Sequence, residues 1–331
     1  MIKDFLVITE EEVKKVVNMK MALPIFREAY RACAKGEMYA AGRIVAPVRG
    51  EENCGQWLAA VCTNMPIFGA KFSSVFPNNA SKGLPSVLSQ ISLYSAETGE
   101  PLAIIEANWL TAVKTGGSAG IATELMARKD ARRLGVIGSG IQAFTQVLAI
   151  QEVRGLSELR LFDVSGGRAE AFAEKIKKER NGPYKIIVCA DAEECVSGSD
   201  IVCTCTTSRK PVFRTSSLKP GAHINAIGSF TPFMQEIEDE TVIKAARVIT
   251  EHVDGLWEAA GDILIPFNKG LISKEKVAGS VGEALTGSLA ARRDDSEITI
   301  YESVGSCVLD IAIAAAAYDS VKNGWDRTNN Q

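Results

Sequence analysis

The stretch of residues 134–143 constrains the fold of this chain more than any other. Its sequence, LGVIGSGIQA, runs from an apolar segment through two glycines into a segment with the character of a helix. Gly138 allows a tight turn, Gly140 lets the backbone approach an anion, and Ala143 keeps the following helix close to the strand. The first N–H groups of such a helix point at the anion. The stretch therefore predicts the strand, turn and helix of a dinucleotide-binding fold.

An acidic residue closes the next apolar run and supports this prediction. Asp163 follows residues 159–162, about twenty residues beyond the glycine turn, where a carboxylate accepts hydrogen bonds from the ribose of adenosine. Such a carboxylate repels a 2′-phosphate, so NAD(H) is the favoured cofactor. Arg168 could instead accommodate that phosphate, which keeps NADP(H) open. Asp163 could also serve only as a helix cap for the segment that follows it.

Strand and helix signals alternate after the glycine turn. Apolar runs near residues 133–137, 159–163, 185–189, 200–205, 222–227 and 247–251 predict strands, with helical or loop segments between them. This alternation is typical of an α/β fold with a doubly wound parallel sheet. We therefore predict a Rossmann-type dinucleotide-binding domain over residues 116–305.

The residues before this domain have a different pattern. Segments at 87–94 and 101–105, separated by the turn sequence ETGE, predict a β-hairpin. Helices are expected at 109–128, at 19–35 with Pro24 marking a first turn or a break, and after Thr9, which with Glu12 resembles a capping box. An alanine-rich segment at 303–323 predicts a last helix that returns to the N-terminal region. The second predicted domain is thus α+β and combines residues 1–115 with 306–331.

Composition restricts the class of protein. The net charge of −3 argues against nucleic-acid binding through phosphate neutralisation. No apolar run approaches the roughly 20 residues that span a bilayer, and the N-terminus lacks the features of a signal peptide. We therefore expect a cytoplasmic protein that has neither a nucleic acid nor a membrane as partner.

Histidine and cysteine usage gives little indication of a metal. The chain has two histidines, His223 and His252, and eight cysteines, and none of these cysteines forms a Cys-x-x-Cys pair. We predict no metal site. Both histidines are expected to be structural, and the cysteines are expected to be reduced residues of the core.

Seven short motifs resemble the ornithine cyclodeaminase and mu-crystallin family, and they extend over almost the whole chain. They are GAK at 69–71, ETGEPLA at 97–103, LTAVKT at 110–115, GSGIQA at 138–143, NAIG at 225–228, GDI at 261–263 and ESVG at 302–305. The resemblance implies a homodimer in which the N-terminal region and the C-terminal helix form the substrate-binding and dimerisation domain. It also implies hydride transfer between a nicotinamide and the carbon that bears an amino or imino nitrogen beside a carboxylate.

The resemblance assigns the residues that bind a small amino or imino acid. Arg43 and Lys71 match two basic residues that hold the substrate carboxylate, and Lys71 also touches the reacting nitrogen, which makes it the candidate catalytic residue. A buried anion needs paired cations, although without the resemblance each could be an ordinary surface cation. The third basic position, usually Arg in the family, is Lys114. An ammonium group there replaces a guanidinium group, which could donate two parallel hydrogen bonds to the substrate carboxylate or the cofactor phosphate. Val304 falls beside the substrate.

The cofactor-contacting positions are carried over in the same way. The resemblance and the glycine-turn pattern together place them at Ser86, Lys114, Thr115, Gly138, Ser139, Gly140, Ile141, Gln142, Asp163, Arg168, Thr206, Ile227, Gly228 and Ser303.

Phe230 departs from the family pattern. Cyclodeaminases and the related alanine dehydrogenases place a catalytic Asp two residues after the glycine of NAIG, and Phe230 stands there. A phenyl ring cannot accept a proton or pair with a distal ammonium group, whereas reduction of an existing imine needs only hydride delivery, carboxylate binding and a proton from Lys71 or water. We therefore favour a ketimine reductase that acts on a cyclic imino acid such as pyrroline- or piperideine-2-carboxylate.

Three alternatives stay open from the sequence. The chain could be an ornithine cyclodeaminase that releases proline and ammonia, or an enzyme resembling alanine dehydrogenase. It could also be a non-catalytic protein that keeps the dinucleotide fold and binds a small ligand, as mu-crystallins do.

Overall fold

The computed structural model describes residues 5–49, 53–63, 65–179 and 182–329, with the backbone alone for residues 80 and 325–329. The chain divides into two compact units. The first unit combines Met1–Lys114 with Ser306–Gln331, and the second unit is Thr115–Gly305. The boundary predicted from the sequence lies one residue later at the first division and at the same residue at the second. The functional roles assigned to the two parts stay predictions.

The first unit is built on a mostly antiparallel sheet. Its strands follow the order β1-β7-β6-β5-β4-β2, and β3 also pairs with β4. Their bounds are β1 Leu6–Ile8, β2 Met38–Ala40, β3 Ile44–Pro47, β4 Cys54–Cys62, β5 Ile67–Val75, β6 Val87–Ser95 and β7 Pro101–Glu106. The predicted hairpin is confirmed, because β6 and β7 pair antiparallel through Ile91↔Ile105.

Helices cover one face of this sheet. They are α1 Glu10–Val16, α2 Met19–Ala34 and α11 Cys307–Asn329. The helix α3, Asn108–Met126, also begins in this unit. The predicted capping box is confirmed: Thr9 and Glu12 exchange side-chain to backbone hydrogen bonds at the start of α1. The helix α11 packs on α2, β4, β5 and β6, so the C-terminal helix does return to the N-terminal region.

Pro24 does not break α2, and this part of the prediction is wrong. The helix begins at Met19 after Asn18, whose side chain accepts the N–H of Met21 at 3.0 Å, and it continues through Pro24 to Ala34. Pro24 and Lys20 are both exposed, so water can reach the carbonyl that lacks a helical partner. Burial of the opposite face of the helix outweighs the lost bond.

The second unit is an eight-stranded parallel sheet in the order β10-β9-β8-β11-β12-β15-β13-β14. Its strands are β8 Arg133–Ile137, β9 Glu158–Phe162, β10 Lys185–Val188, β11 Ile201–Thr204, β12 His223–Ala226, β13 Arg247–Thr250, β14 Val277–Ser280 and β15 Thr299–Glu302. Its own helices are α4 Ile141–Val153, α5 Arg168–Glu179, α6 Ala192–Ser197, α7 Asp239–Lys244, α8 Val253–Ala259, α9 Gly261–Asn268 and α10 Val281–Thr286.

The doubly wound parallel sheet is confirmed, and so are the strands predicted within it, β8 to β13. Sequence analysis missed β14 and β15, and β15 lies between β12 and β13 in the sheet. Strand order reverses between β8 and β11. In open α/β sheets, ligands bind outside the carboxyl ends of the strands at such a reversal, which is where the Gly138 turn lies.

Both histidines are structural, as predicted. His223 is fully buried in β12, where its ring nitrogens lie 2.9 Å from Thr299 Oγ1 and 3.1 Å from Asn225 Oδ1. Burial lowers the pKa of His223 to about 3, so the ring is neutral in the core. His252 caps α8 by accepting the N–H of Gly255 at 2.8 Å.

Candidate active site

Gly138 makes the turn at the end of β8. Its φ is +102°, and its N–H donates to Phe162 O at 2.8 Å, which ties the turn to the end of β9. A Cβ atom at this position would lie 2.6 Å from Cys205 O, just after β11. Only glycine satisfies both the positive φ and this close approach.

The start of α4 has the features of an anion-binding site. Gly140 is its N-cap and provides no side-chain bond, and a Cβ there would meet nothing within 4 Å. Ser139 Oγ and Gln142 Oε1 are buried and, within the described residues, have no hydrogen-bond partner. Open space, unpaired polar atoms and free helix N–H groups therefore fit a dinucleotide pyrophosphate. Ile141, the first residue of α4, is half-exposed.

Asp163 lies at the end of β9 and accepts the N–H of Ser165 through Oδ1 at 2.9 Å. Its Oδ2 lies 4.0 Å from Nε of Arg168, whose side chain is largely exposed. The helix α5 begins at Arg168, so Asp163 caps a turn and not the helix, which is a correction to that alternative. One carboxylate oxygen of Asp163 is thus bound by the turn at Ser165. The other faces Arg168, the residue predicted to bind the 2′-phosphate of NADP(H).

Glu236 joins two loops that the sequence predicted to contact the cofactor. Its Oε1 accepts the N–H of Thr206 after β11, and its Oε2 accepts the N–H of Gly228 after β12, each at 2.6 Å. Asp262 Oδ1 in turn accepts the N–H of Glu236 at 2.7 Å. Sequence analysis missed Glu236, and no spacing pattern in the sequence pointed to it. Burial raises the pKa of Glu236, although the N–H donors oppose that shift.

The remaining predicted positions of the second unit are mostly buried. Ser303 donates to Glu251 Oε1 at 3.0 Å, and Glu251 also accepts the hydroxyl of Tyr301 at 2.7 Å. The carbonyl of Thr115 accepts Nε2 of Gln146 at 3.4 Å. The structure also buries Ile227 and Val304, whereas Phe230 is 37% exposed in the loop after β12.

A buried cluster of charges forms the candidate substrate site of the first unit. Lys71 on β5 and Lys114 on α3 are both buried, and Asp310 on α11 is fully buried between them. Asp310 Oδ2 lies 2.6 Å from Nζ of Lys71 and 3.8 Å from Nζ of Lys114. The structure thus brings together two of the three predicted basic residues around a carboxylate that the sequence did not indicate.

The other predicted residues of this unit lie on its strands and loops. Arg43 is partly buried immediately before β3. Ser86 precedes β6 and donates to Pro77 O at 3.3 Å. The roles predicted for Arg43 and Ser86 stay predictions.

One cysteine lies beside this cluster. All eight cysteines lie within the described residues, and none of them forms a disulfide bond. Cys307, in the first turn of α11, is buried beside Asp310, and burial raises the pKa of its thiol to about 12. Within the described residues, His, Cys, Asp and Glu side chains form no group arranged to hold a metal ion.

Comparison with known proteins identifies the family. The family model described as the ornithine cyclodeaminase/mu-crystallin family matches residues 3–325. The chain belongs to this family. The resemblance inferred from the seven motifs is therefore confirmed.

Members of the ornithine cyclodeaminase/mu-crystallin family cover nearly the whole chain. A Delta(1)-pyrroline-2-carboxylate reductase from Bacillus cereus is 34% identical over 320 residues, 95% of this chain and 96% of the relative. An alanine dehydrogenase from Archaeoglobus fulgidus is 34% identical over 319 residues, 95% of this chain and 94% of the relative. The structure of Thermococcus litoralis Delta(1)-pyrroline-2-carboxylate reductase in complex with NADH and L-proline has a TM-score of 0.93 and 31% identity, and the match covers 96% of this chain and 98% of that one.

Proposed function

We propose that this chain is an NADH-dependent reductase of cyclic imino acids such as pyrroline- or piperideine-2-carboxylate. The observation that carries the proposal is the pair of buried lysines, Lys71 and Lys114, in the first unit, because a substrate carboxylate that is buried needs cations close to it. Similarity to the pyrroline-2-carboxylate reductases supports the same reaction.

The proposed reaction requires only a few groups of the protein. NADH, when bound, supplies a hydride to the imine carbon, and a proton reaches the imine nitrogen, so that C=N becomes CH–NH. Lys71, Lys114 and Arg43 hold the carboxylate beside that carbon, and Lys71 or a water molecule provides the proton. Val304 and Phe230 would contact the apolar part of the substrate.

The glycine turn and Asp163 support NADH as the cofactor. Ser139, Gly140, Ile141 and Gln142 would hold the pyrophosphate, and Asp163 would accept the ribose hydroxyl groups. Thr115, Thr206, Ile227, Gly228 and Ser303 stay proposed contacts of the same cofactor, together with Ser86 and Lys114 of the first unit. Arg168 keeps NADP(H) as the second candidate, and its Nε lies 4.0 Å from Asp163.

Phe230 favours reduction over cyclodeamination. Ring closure of ornithine needs a carboxylate to position and deprotonate the side-chain amine, and the ring of Phe230 provides none. Three results would contradict this proposal: ornithine cyclodeaminase activity, alanine dehydrogenase activity, or ligand binding without catalysis.

Homodimer formation is also proposed, through the open face of the first sheet. Ile44 pairs with Trp57 and Trp57 with Phe72, so their side chains project to one face, opposite the face of Lys71. On that face Ile44 is 64% exposed, Trp57 43% and Tyr39 55%. Contiguous exposed apolar side chains mark protein interfaces, and a structural neighbour is described as an alanine dehydrogenase dimer. The cytoplasmic location expected from the sequence stays a prediction.

A substrate panel tests the proposed reaction. Purified protein is mixed with NADH or NADPH and with pyrroline-2-carboxylate, piperideine-2-carboxylate or pyruvate plus ammonia, and absorbance at the nicotinamide band is followed. We expect oxidation of NADH with the cyclic imines to exceed that with pyruvate and ammonia. In a separate assay with ornithine and NAD, formation of proline and ammonia without net formation of NADH would instead identify a cyclodeaminase. Cofactor binding without turnover of any substrate would identify a binding protein.

Replacement of Lys71 tests its assigned role. Lys71→Met removes the ammonium group but keeps a side chain of similar length, so we expect kcat to fall by about 10²–10⁴-fold. The Kd for NADH, measured by fluorescence, should change little. Lys20→Met, on an exposed position of α2, is the matched control. An unchanged kcat in Lys71→Met would remove Lys71 from the mechanism.

A further inference from the structure

The helix α11 packs directly on β5 beside Gly69, which has no side chain. A Cβ atom on Gly69 would lie 3.0 Å from Ile311 Cδ1 and would also collide with the carbonyl oxygen of Ser92. Gly69 and Lys71 are two residues apart on β5 and therefore face the same helix. The bare glycine lets the first turn of α11 place Asp310 against Nζ of Lys71.

The carboxylate of Asp310 interacts mainly with the ammonium groups of Lys71 and Lys114. Its side chain is 0% exposed, and Oδ2 accepts from Lys71 at 2.6 Å. Oδ1 is buried and, in the described part of the chain, has no hydrogen-bond partner. Burying a carboxylate with one unsatisfied oxygen is costly, and apolar residues of similar volume would fill such a position at least as stably. Stability therefore does not account for Asp310.

The ammonium group of a lysine must be restrained by a neighbouring group if it is to bind or protonate a substrate at one position. Its ammonium group sits on a flexible four-carbon chain and makes no rigid fork with a carboxylate. Displacement of a reacting group by about 1 Å can reduce a rate by about 10²-fold. A buried ion pair restricts Nζ to one position, and the neutral thiol of Cys307 adds no competing charge.

We propose that Asp310 is a positioning residue that fixes the ammonium group of Lys71 for carboxylate binding and proton delivery. The inference rests on the proposed function for its kinetic consequence, whereas its structural consequence is independent of it. Asp310 acts through Lys71, whose Nζ lies 2.6 Å from its Oδ2.

Kinetics of Asp310→Asn test the proposal. The amide has nearly the shape of the carboxylate but lacks its charge, so we expect kcat with the cyclic imine to fall by about 10- to 100-fold. The Kd for NADH should change little, and an unchanged circular dichroism spectrum verifies that the variant is folded. Asp319→Asn, at an exposed position of the same helix, should keep the original kcat.

A double-mutant cycle separates positioning from general support of the fold. In the Lys71→Met background, Asp310→Asn should cause no further loss of kcat, because the group that Asp310 positions is gone. Equal fold-losses of kcat in both backgrounds would overturn the proposal. Asp310→Glu keeps the charge but moves it by one methylene, so an original kcat in that variant would also overturn it.

A crystal structure of Asp310→Asn gives a test that needs no activity. Nζ of Lys71 should leave its original position or lose defined density. If Nζ stays in place, Asp310 does not position it. Absence of turnover by the unmodified protein would refute the proposed function, while this structural comparison would still decide the role of Asp310.

Discussion

At the level of single residues, two acidic side chains each lie beside a basic residue that has a proposed role in binding. Asp163 lies at the spacing that dinucleotide sites require, and the structure places its side chain at the end of β9 within 4.0 Å of Arg168. Asp310 lies in an alanine-rich helix whose local pattern describes only a buried face. Its importance emerges from its contact with Lys71 at 2.6 Å.

Cofactor preference can be tested at Asp163. Asp163→Ser removes the charge that repels a 2′-phosphate and leaves Arg168 free to pair with one, so the ratio of kcat/KM for NADPH to that for NADH should rise at least about tenfold. Initial rates at varied cofactor concentration measure this ratio. Glu170→Ser, at an exposed position of α5, provides the control. An unchanged ratio would mean that Asp163 supports only the turn at Ser165.

At the level of secondary structure, the alternation of strand and helix decided which strands could be predicted. The strands β8 to β13 follow that alternation in the sequence. The strand β15, Thr299–Glu302, is as short as β12 and β13, but it follows residues 287–298, which form neither helix nor strand, so its place between β12 and β13 becomes clear only in the sheet. Burial of one face of α2 against its neighbours likewise overrides the local effect of Pro24.

Close packing between β5, β6 and α11 can be tested at Gly69. Gly69→Ala adds a methyl group 2.4 Å from the carbonyl oxygen of Ser92 on β6 and 3.0 Å from Ile311 Cδ1 on α11, so we expect the free energy of unfolding to fall by about 1–3 kcal/mol. Thermal unfolding followed by circular dichroism measures the loss. Gly324→Ala on α11, where a Cβ would meet nothing within 4 Å, should leave the stability equal or slightly higher. Similar midpoints for both variants would contradict close packing at Gly69.

At the level of the whole molecule, the first sheet has two unlike faces. Helices α2 and α11 cover one of them, while the other displays Ile44, Trp57 and Tyr39, and its Trp57 and Phe72 rings lie 5.0 Å apart. A face of this kind on an isolated chain would favour association through burial of apolar area. Membrane insertion is a separate question, and no described helix has the length and apolar character to cross a bilayer.

The proposed dimer can be tested by placing a charge on that face. Ile44→Asp would bury a carboxylate in the interface without a partner, so the molar mass measured by light scattering should fall from that of a dimer toward that of a monomer. Ile243→Asp, at another exposed apolar position, should remain dimeric. A dimeric mass for Ile44→Asp would place the interface elsewhere on the chain, and a monomeric original protein would refute the dimer itself.

The sequence by itself determined the parallel sheet, the glycine turn, the position of Asp163 and the family, because each depends on residues that are neighbours along the chain. Strand and helix periodicity and the demands of a phosphate on the backbone act over short stretches. Only the tertiary structure decided that Asp310 meets Lys71 across 239 residues, and that Glu236 joins the loops of Thr206 and Gly228. Local patterns carry no information about such pairings, since buried charges find their partners only when distant elements pack together.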